Sequence, residues 1–276
     1  MSYKTLLVHL ELGHPNRAIL KITAALAERL HARVVGIAVC QPMRIIYNDG
    51  YVPSDIVEQD RKQIDDAISA VEAEFRSALS DRIPSIGWRS EVTYKSLSEH
   101  LATQAACADL VITGVEASAS IFDTSRHVDV GDLVMEAGRP CLIVPAATEA
   151  LPLKHVVVGW KDSSETRRAI RDALPLLKLA ERVTILEVIA KDDSEPARAG
   201  LADVVGWLKG HGIEATPIVA PATGDDAARL DEVVGELRGD LLVAGAYGHS
   251  RVREWALGGV TRDLLLRAGR CALVSH

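Results

Sequence analysis

The sequence predicts an α/β protein of two tandem domains, each a doubly wound parallel sheet with helices on both faces. Three observations lead there. The chain repeats itself: KTLLVHL from Lys4 returns as KHVVVGW from Lys154 at a shift of 150 residues. DLVITG from Asp109 and DLVMEAGRPCLIV from Asp132 return as DLLVAG from Asp240 and DLLLRAGRCALV from Asp263, both at a shift of 131. Repeats of this size are domains rather than solenoid units. Within each repeat, apolar runs of strand length alternate with segments of helical period. The runs are continuous rather than alternating, so both faces are buried, as in a parallel sheet whose right-handed crossovers lay helices on either side.

The elements follow in order. The fall in shift from 150 to 131 puts about 19 extra residues in the first half, and Gln41–Asp60, punctuated by Pro, Gly and Asn, reads as a surface excursion. A charge-rich helix from about Ser54 to Ser80 follows, with an apolar stripe of Ile64, Ile68, Val71 and Phe75 under a solvated face. The repeats join within Ala146–Leu153, which gives domains over residues 1–147 and 148–276. The second half reads as strand His155–Trp160, helix Glu165–Leu179, strand Val183–Ile189, helix Pro196–His211 and strand Ile213–Ala220. A helix from about Asp225 to Leu237, strand Leu241–Ala246, helix Gly259–Ala268 and strand Cys271–Ser275 complete five strands. In the first of these helices Ala169, Ile170, Ala173, Leu174 and Leu177 recur at helical spacing.

Composition narrows the function classes. The 276 residues carry 31 Lys+Arg against 38 Asp+Glu, a formal charge of -7, which disfavours nucleic acid and acidic membrane surfaces as partners. The opening segment MSYKTLLVHLEL is broken by His9 and Glu11, and no run reaches the roughly 18 apolar residues a membrane span requires, so a cytoplasmic protein is expected. Cys40, Cys107, Cys141 and Cys271 are far apart and read as packed thiols. HExxH and paired metal-ligating histidines are absent, so no metal ligands are assigned; His9, in an apolar strand, reads as a satisfied core group.

Chemistry concentrates in Ala244–Arg270. Gly245 and Gly248 are three apart, and Gly258 and Gly259 follow at a predicted helix start. Glycines let the backbone approach an anion closely, and helix-start amides point at phosphate oxygens with the dipole behind them. Ser250 and Thr261 add hydroxyls, His249 a hydrogen-bond donor, and Arg251 and Arg253 cations for phosphate, while Arg267 and Arg270 complement a helix C-terminus. Trp160, at a strand's carboxyl end, can pack under a helix or stack on a base. GHSRV has Val252 where a nucleophile elbow needs glycine, and neither G-x-x-x-x-G-K-[ST] nor G-x-G-x-x-G occurs. No catalytic residue is assigned.

The spacing G-x-x-G-x9-G on a fourth strand and the following helix, inside a duplicated chain, resembles the ATP-binding class of the universal stress protein family. The resemblance covers nearly the whole chain. It implies two Rossmann-like five-stranded sandwich domains of strand order 3-2-1-4-5, and a glycine loop that holds the ribose and phosphates of ATP or AMP, with ADP and a companion Mg²⁺ left open. By motif position Gly245, Gly248 and Gly258 are the three glycines, with Ala246 and Val260 in the same loop backbone. Thr261 keeps its family place, whereas Gly259 stands where Ser or Thr is usual. The acidic position after the first strand is held by Lys161, with Asp162 one place along, and Val188 and Ile189 would form an apolar wall against the base.

At the shift of 131, Gly114 of the first half matches Gly245, but Ala117, His127, Val128 and Val130 replace Gly248, Gly258, Gly259 and Thr261. Added Cβ atoms obstruct phosphate, so the first half is expected to be empty or differently occupied, although Glu11 supplies an acid after its first strand. The resemblance also implies that the last strands, Cys141–Val144 and Cys271–Val274, pair antiparallel as an internal pseudo-dimer, with homodimerisation open beyond that. The implied function is a stress-response regulatory protein that binds an adenine nucleotide in its C-terminal domain and thereby alters a surface for an unknown protein partner. Two alternatives stand. One is a slow Mg²⁺-dependent ATPase using Arg251 or Lys161 for charge and His249 to position water; the other is an interaction scaffold without nucleotide.

Overall fold

The continuous apolar runs become the strands at the centre of each sheet. The computed structural model describes residues 2–42, 54–115, 127–189, 194–246 and 269–276. Its contacts form two units, Tyr3–Arg139 and, for the most part, Pro140–His276.

In the N-terminal unit the order is β1 (Thr5–His9), α1 (Arg17–Leu30), β2 (Arg33–Cys40), α2 (Ser54–Leu79), β3 (Ile86–Val92), α3 (Leu97–Gln104), β4 (Leu110–Val115) and α4 (Val130–Glu136). The strands lie in the order β3-β2-β1-β4, all parallel. Leu6, Leu7 and Val8 of β1 are at most 1% exposed, which is why that run carries no polar alternation. Helix α1 buries Ile19, Leu20, Thr23, Ala24, Leu26, Ala27 and Leu30, a stripe at three- and four-residue spacing, and ends where His31 turns left-handed at φ 51°. Helix α2 runs close to the expected span and buries Asp60, Ile64, Val71, Phe75 and Leu79. Phe75 lies over Gly36, where a Cβ would come within 2.8 Å of both that ring and Trp88. Of the excursion expected over Gln41–Asp60, residues 43–53 lie outside the described residues, and Ser54–Asp60 already belong to α2.

The C-terminal unit contains β5 (Cys141–Pro145), β6 (His155–Trp160), α5 (Ser164–Leu177), β7 (Arg182–Ile189), α6 (Ser194–Gly210), β8 (Thr216–Pro221), α7 (Asp226–Glu236), β9 (Leu241–Gly245) and β10 (Cys271–Ser275). Its strand order is β5-β10-β9-β6-β7-β8. The run β8-β7-β6-β9-β10 is parallel and reproduces the expected 3-2-1-4-5 order. Strand β5 closes the edge of β10 in antiparallel register, Ile143 opposite Ala272 and Cys141 opposite Val274, so the apolar edge of β10 is not left open. Strands β6 and β10 have the expected bounds. Strand β8 starts at Thr216 rather than Ile213, because Gly212 at φ +76° folds Ile213 over the end of α6, where its N–H donates to the Leu208 carbonyl at 3.0 Å. The helix expected over Gly259–Ala268 lies outside the described residues.

The repeated Asp-Leu pairs have a structural use. Asp109, just before β4, accepts hydrogen bonds from the backbone N–H groups of Lys4 (2.7 Å) and Thr5 (2.9 Å). Asp240, just before β9, accepts the same pair from Lys154 (2.7 Å) and His155 (3.3 Å). In both units one carboxylate therefore pins the start of the first strand to the fourth and sets their register. All four cysteines are free, Cys107 exposed and the other three buried. Burial pushes the Cys141 and Cys271 thiols up to about 12, with Asp240's charge adding to the second, so both are inert packing groups. Among the described residues no helix is long and apolar enough to cross a membrane.

Candidate functional site

The order β8-β7-β6-β9-β10 reverses chain direction of growth between β6 and β9, and in such sheets ligands bind beyond the carboxyl ends of the strands at that point. Three described stretches meet at the expected place. Strand β6 ends in half-buried Trp160 and runs through exposed Lys161 and Asp162 to Ser163. A tight turn, Ser163 N–H to the Lys161 carbonyl at 2.7 Å, brings the chain round. Ser163 then caps α5, its hydroxyl accepting from the Thr166 N–H at 3.3 Å. Asp162 accepts from the Arg167 Nε at 2.9 Å, a bridge with both side chains largely exposed.

Gly245, the first glycine of the loop motif, closes β9 against this turn. A Cβ there would stand 2.5 Å from the Thr166 nitrogen and 2.6 Å from the Glu165 carbonyl carbon. Both are backbone atoms at the start of α5, so this glycine is required by strand-to-helix packing whatever the loop binds. Ala246, 2% exposed, donates its N–H to the Ser275 carbonyl at 2.9 Å. Its carbonyl accepts from His276 Nδ1, 3.1 Å away. The Ala246 amide is thus committed to the sheet. Gly248, His249, Ser250, Arg251, Gly258, Gly259, Val260 and Thr261 lie outside the described residues.

Strand β7 contributes Val188 and Ile189, both half-buried at its carboxyl end. It also contributes a group that sequence spacing did not single out. Glu187 lies opposite Trp160 in the β6–β7 register. Its carboxyl is pushed up by burial first and by the Asp162 charge second, while Lys161 draws it down. Lys161, Asp162 and Glu187 therefore share one electrostatic neighbourhood at the mouth of the sheet. The signal in the sequence was an acid inside the otherwise apolar run ILEVI.

The N-terminal unit carries different chemistry at the equivalent place. His9, the last residue of β1, is 1% exposed; its Nδ1 lies 3.1 Å from Thr113 Oγ1, and its Nε2 has no hydrogen-bond partner. The expectation of a satisfied core histidine is met at one nitrogen only. Burial, and then the His127 charge, lowers its pKa to about 4. Glu11 follows, and its Oε2 lies 3.9 Å from His127 Nδ1, with 13% and 18% of the two side chains exposed. His127 occupies the counterpart of the third loop glycine, and next to it Val128 is 8% exposed, filling space rather than opening it. Val130 begins α4 behind the cap of Asp129, which accepts from the Asp132 N–H at 3.0 Å. Ala117 lies outside the described residues.

No protein-family model matches the sequence, and no curated protein matches it. Solved structures do. A universal stress protein from Archaeoglobus fulgidus DSM 4304 superposes with a TM-score of 0.72 at 14% identity, covering 98% of this chain and 95% of that one. A candidate universal stress protein from Pseudomonas aeruginosa UCBPP-PA14 gives a TM-score of 0.63 at 15% identity, covering 99% and 93%. A protein of unknown function from Pseudomonas aeruginosa PAO1 gives 0.61 at 13% identity, covering 99% and 92%. At these identities the likeness is one of fold. The chain therefore shares, over nearly its full length, the fold of universal stress proteins.

Proposed function

We propose that the protein is a stress-response regulatory protein that binds an adenine nucleotide, ATP or AMP, in the C-terminal of its two repeats, residues 148–276. The observation that carries this reading is the position of the G-x-x-G-x9-G motif: its first glycine ends β9, directly beside β6, at the switch point of the sheet. A loop leaving that point, with amides stripped of Cβ atoms and with Arg251 and Arg253 nearby in sequence, suits a polyphosphate. Trp160, Val188 and Ile189 suit a base, and Lys161 suits a phosphate. Asp162 and Glu187 suit the ribose hydroxyls or a Mg²⁺ ion carried by the nucleotide.

Nucleotide would act by ordering the loop and changing a surface for a protein partner, which requires that partner to distinguish the loaded and empty states. The test is equilibrium titration of the purified chain with ATP, ADP and AMP, followed by Gly248→Ala. The reading expects about tenfold or greater loss of affinity in that variant with the fold intact. Unchanged affinity would remove the loop from the site, and multiple-turnover phosphate release would favour an ATPase.

A further inference from the structure

The turn after β1 gathers a second set of ligating groups. Gly13, at φ +77°, reverses the chain between Glu11 and His14. The turn is held from inside by Asn16, 4% exposed. Its Oδ1 accepts from the Glu11 N–H at 3.0 Å, and its Nδ2 donates to the carbonyls of Glu11 (3.0 Å) and His14 (3.2 Å). His127 arrives from the segment ahead of α4. Its ring meets that of His14 edge to face, with centroids 5.3 Å apart at 62°. One ligand atom from each of Glu11, His14 and His127 lies within 4.8 Å of the other two.

We propose that Glu11, His14 and His127 form a binding site for a borderline divalent metal ion, Zn²⁺ in the first instance, in the N-terminal unit. Two imidazoles and one carboxylate are the donor set such ions favour, whereas Mg²⁺ and Ca²⁺ call for oxygen alone. Ligand atoms bound at about 2.0–2.2 Å to a tetrahedral ion stand roughly 3.5 Å apart. The groups, within 4.8 Å of one another, are therefore slightly expanded from a closed site. All three are half-buried, so the ion would be partly shielded from water. The Asn16 clamp fixes the backbone of two of the three ligands beforehand. Three protein ligands leave a fourth coordination position open, the arrangement of a site that exchanges a water or a small anion.

A second observation points the same way. His9 Nε2 is a buried nitrogen without a hydrogen-bond partner, two residues before Glu11. Such a nitrogen is costly in an apolar interior unless a water or an ion supplies it with a partner. The site also accounts for a substitution that otherwise reads only as a loss. The residue at the counterpart of the third loop glycine, His127, is one of the ligands, so the first repeat has exchanged a phosphate seat for an imidazole.

The experiment uses the full, untagged chain, stripped with chelator and free of nucleotide. Zn²⁺ is titrated in competition with a chromophoric chelator, and Co²⁺ absorption reports the coordination. The expected result is one high-affinity ion per chain with a tetrahedral or five-coordinate Co²⁺ spectrum, weakened about a hundredfold or more in His127→Ala and in His14→Ala. Glu11→Gln, which keeps the side chain's shape, should also weaken binding and guards against misfolding of the histidine variants. His211→Ala, in the other unit, should leave it unchanged. Failure of the parent chain to take up an ion, or affinity unchanged from the parent in Glu11→Gln and His127→Ala, would overturn the assignment.

Discussion

The two units leave their first strand by different routes. In the C-terminal unit β6 passes through Trp160, Lys161 and Asp162 into a helix capped by Ser163, with Glu187 alongside and Gly245 pressed on the helix start. In the N-terminal unit β1 passes through His9 and Glu11 into the Gly13 turn, with His127 across from Glu11. Yet Asp109 and Asp240 do the same work in both, each binding two N–H groups at the start of the first strand. What the repeats share belongs to the sheet, and what they do not share stands at the carboxyl ends of its strands.

The largest expected effect tests whether Gly245 belongs to the fold as well as to a loop. Gly245→Ala should cost roughly 3 kcal/mol in urea denaturation, because the new methyl meets backbone that cannot rotate away. A neutral outcome would show that the start of α5 yields, and would return this glycine to the loop alone.

Acid should single out the N-terminal unit. His9 is neutral in the fold, with its pKa lowered from 6.5 to about 4. The unfolded chain takes up the proton first, so stability is fully present above pH 6.5 and is lost as pH falls toward 4. The loss is roughly 3 kcal/mol. Denaturation with chelator present at pH 7.5 and pH 4.5 should show this dependence in the parent and a shallower one in His9→Gln. Equal slopes would mean that groups other than His9 carry the acid response.

Smaller effects sharpen the likeness rather than the difference. Asp109→Ala and Asp240→Ala should each destabilise by about 1–2 kcal/mol, since each frees two backbone N–H groups at a strand start. Hydrogen exchange should localise each loss to its own unit. A large effect at one site and none at the other would break the equivalence of the two repeats.

The fold was largely legible because its signals are local. Continuous runs such as VVV at Val156–Val158 and ALV at Ala272–Val274 are buried on both faces and gave strand bounds directly. The start of β8 was not, because Ile213 is apolar for the sake of a helix end. The candidate site is less legible than the fold. Gly245 reads as a close approach to an anion, and the atoms that need the space are those of Glu165 and Thr166. Glu187 and His14 carry no motif; each acquires meaning from neighbours that are distant in sequence, Asp162 for one and His127 for the other. Pairings of that kind are set by topology, and spacing along the chain does not encode them.

The central claim is that nucleotide belongs to the C-terminal repeat and not to its N-terminal counterpart. Calorimetric titration with ATP, combined with hydrogen exchange of the bound chain, tests it most directly. The account predicts one nucleotide per chain, with protection at Trp160–Ser163 and across the segment after Ala246. Protection confined to Glu11–Asn16 and the region of His127, or two nucleotides per chain, would contradict it.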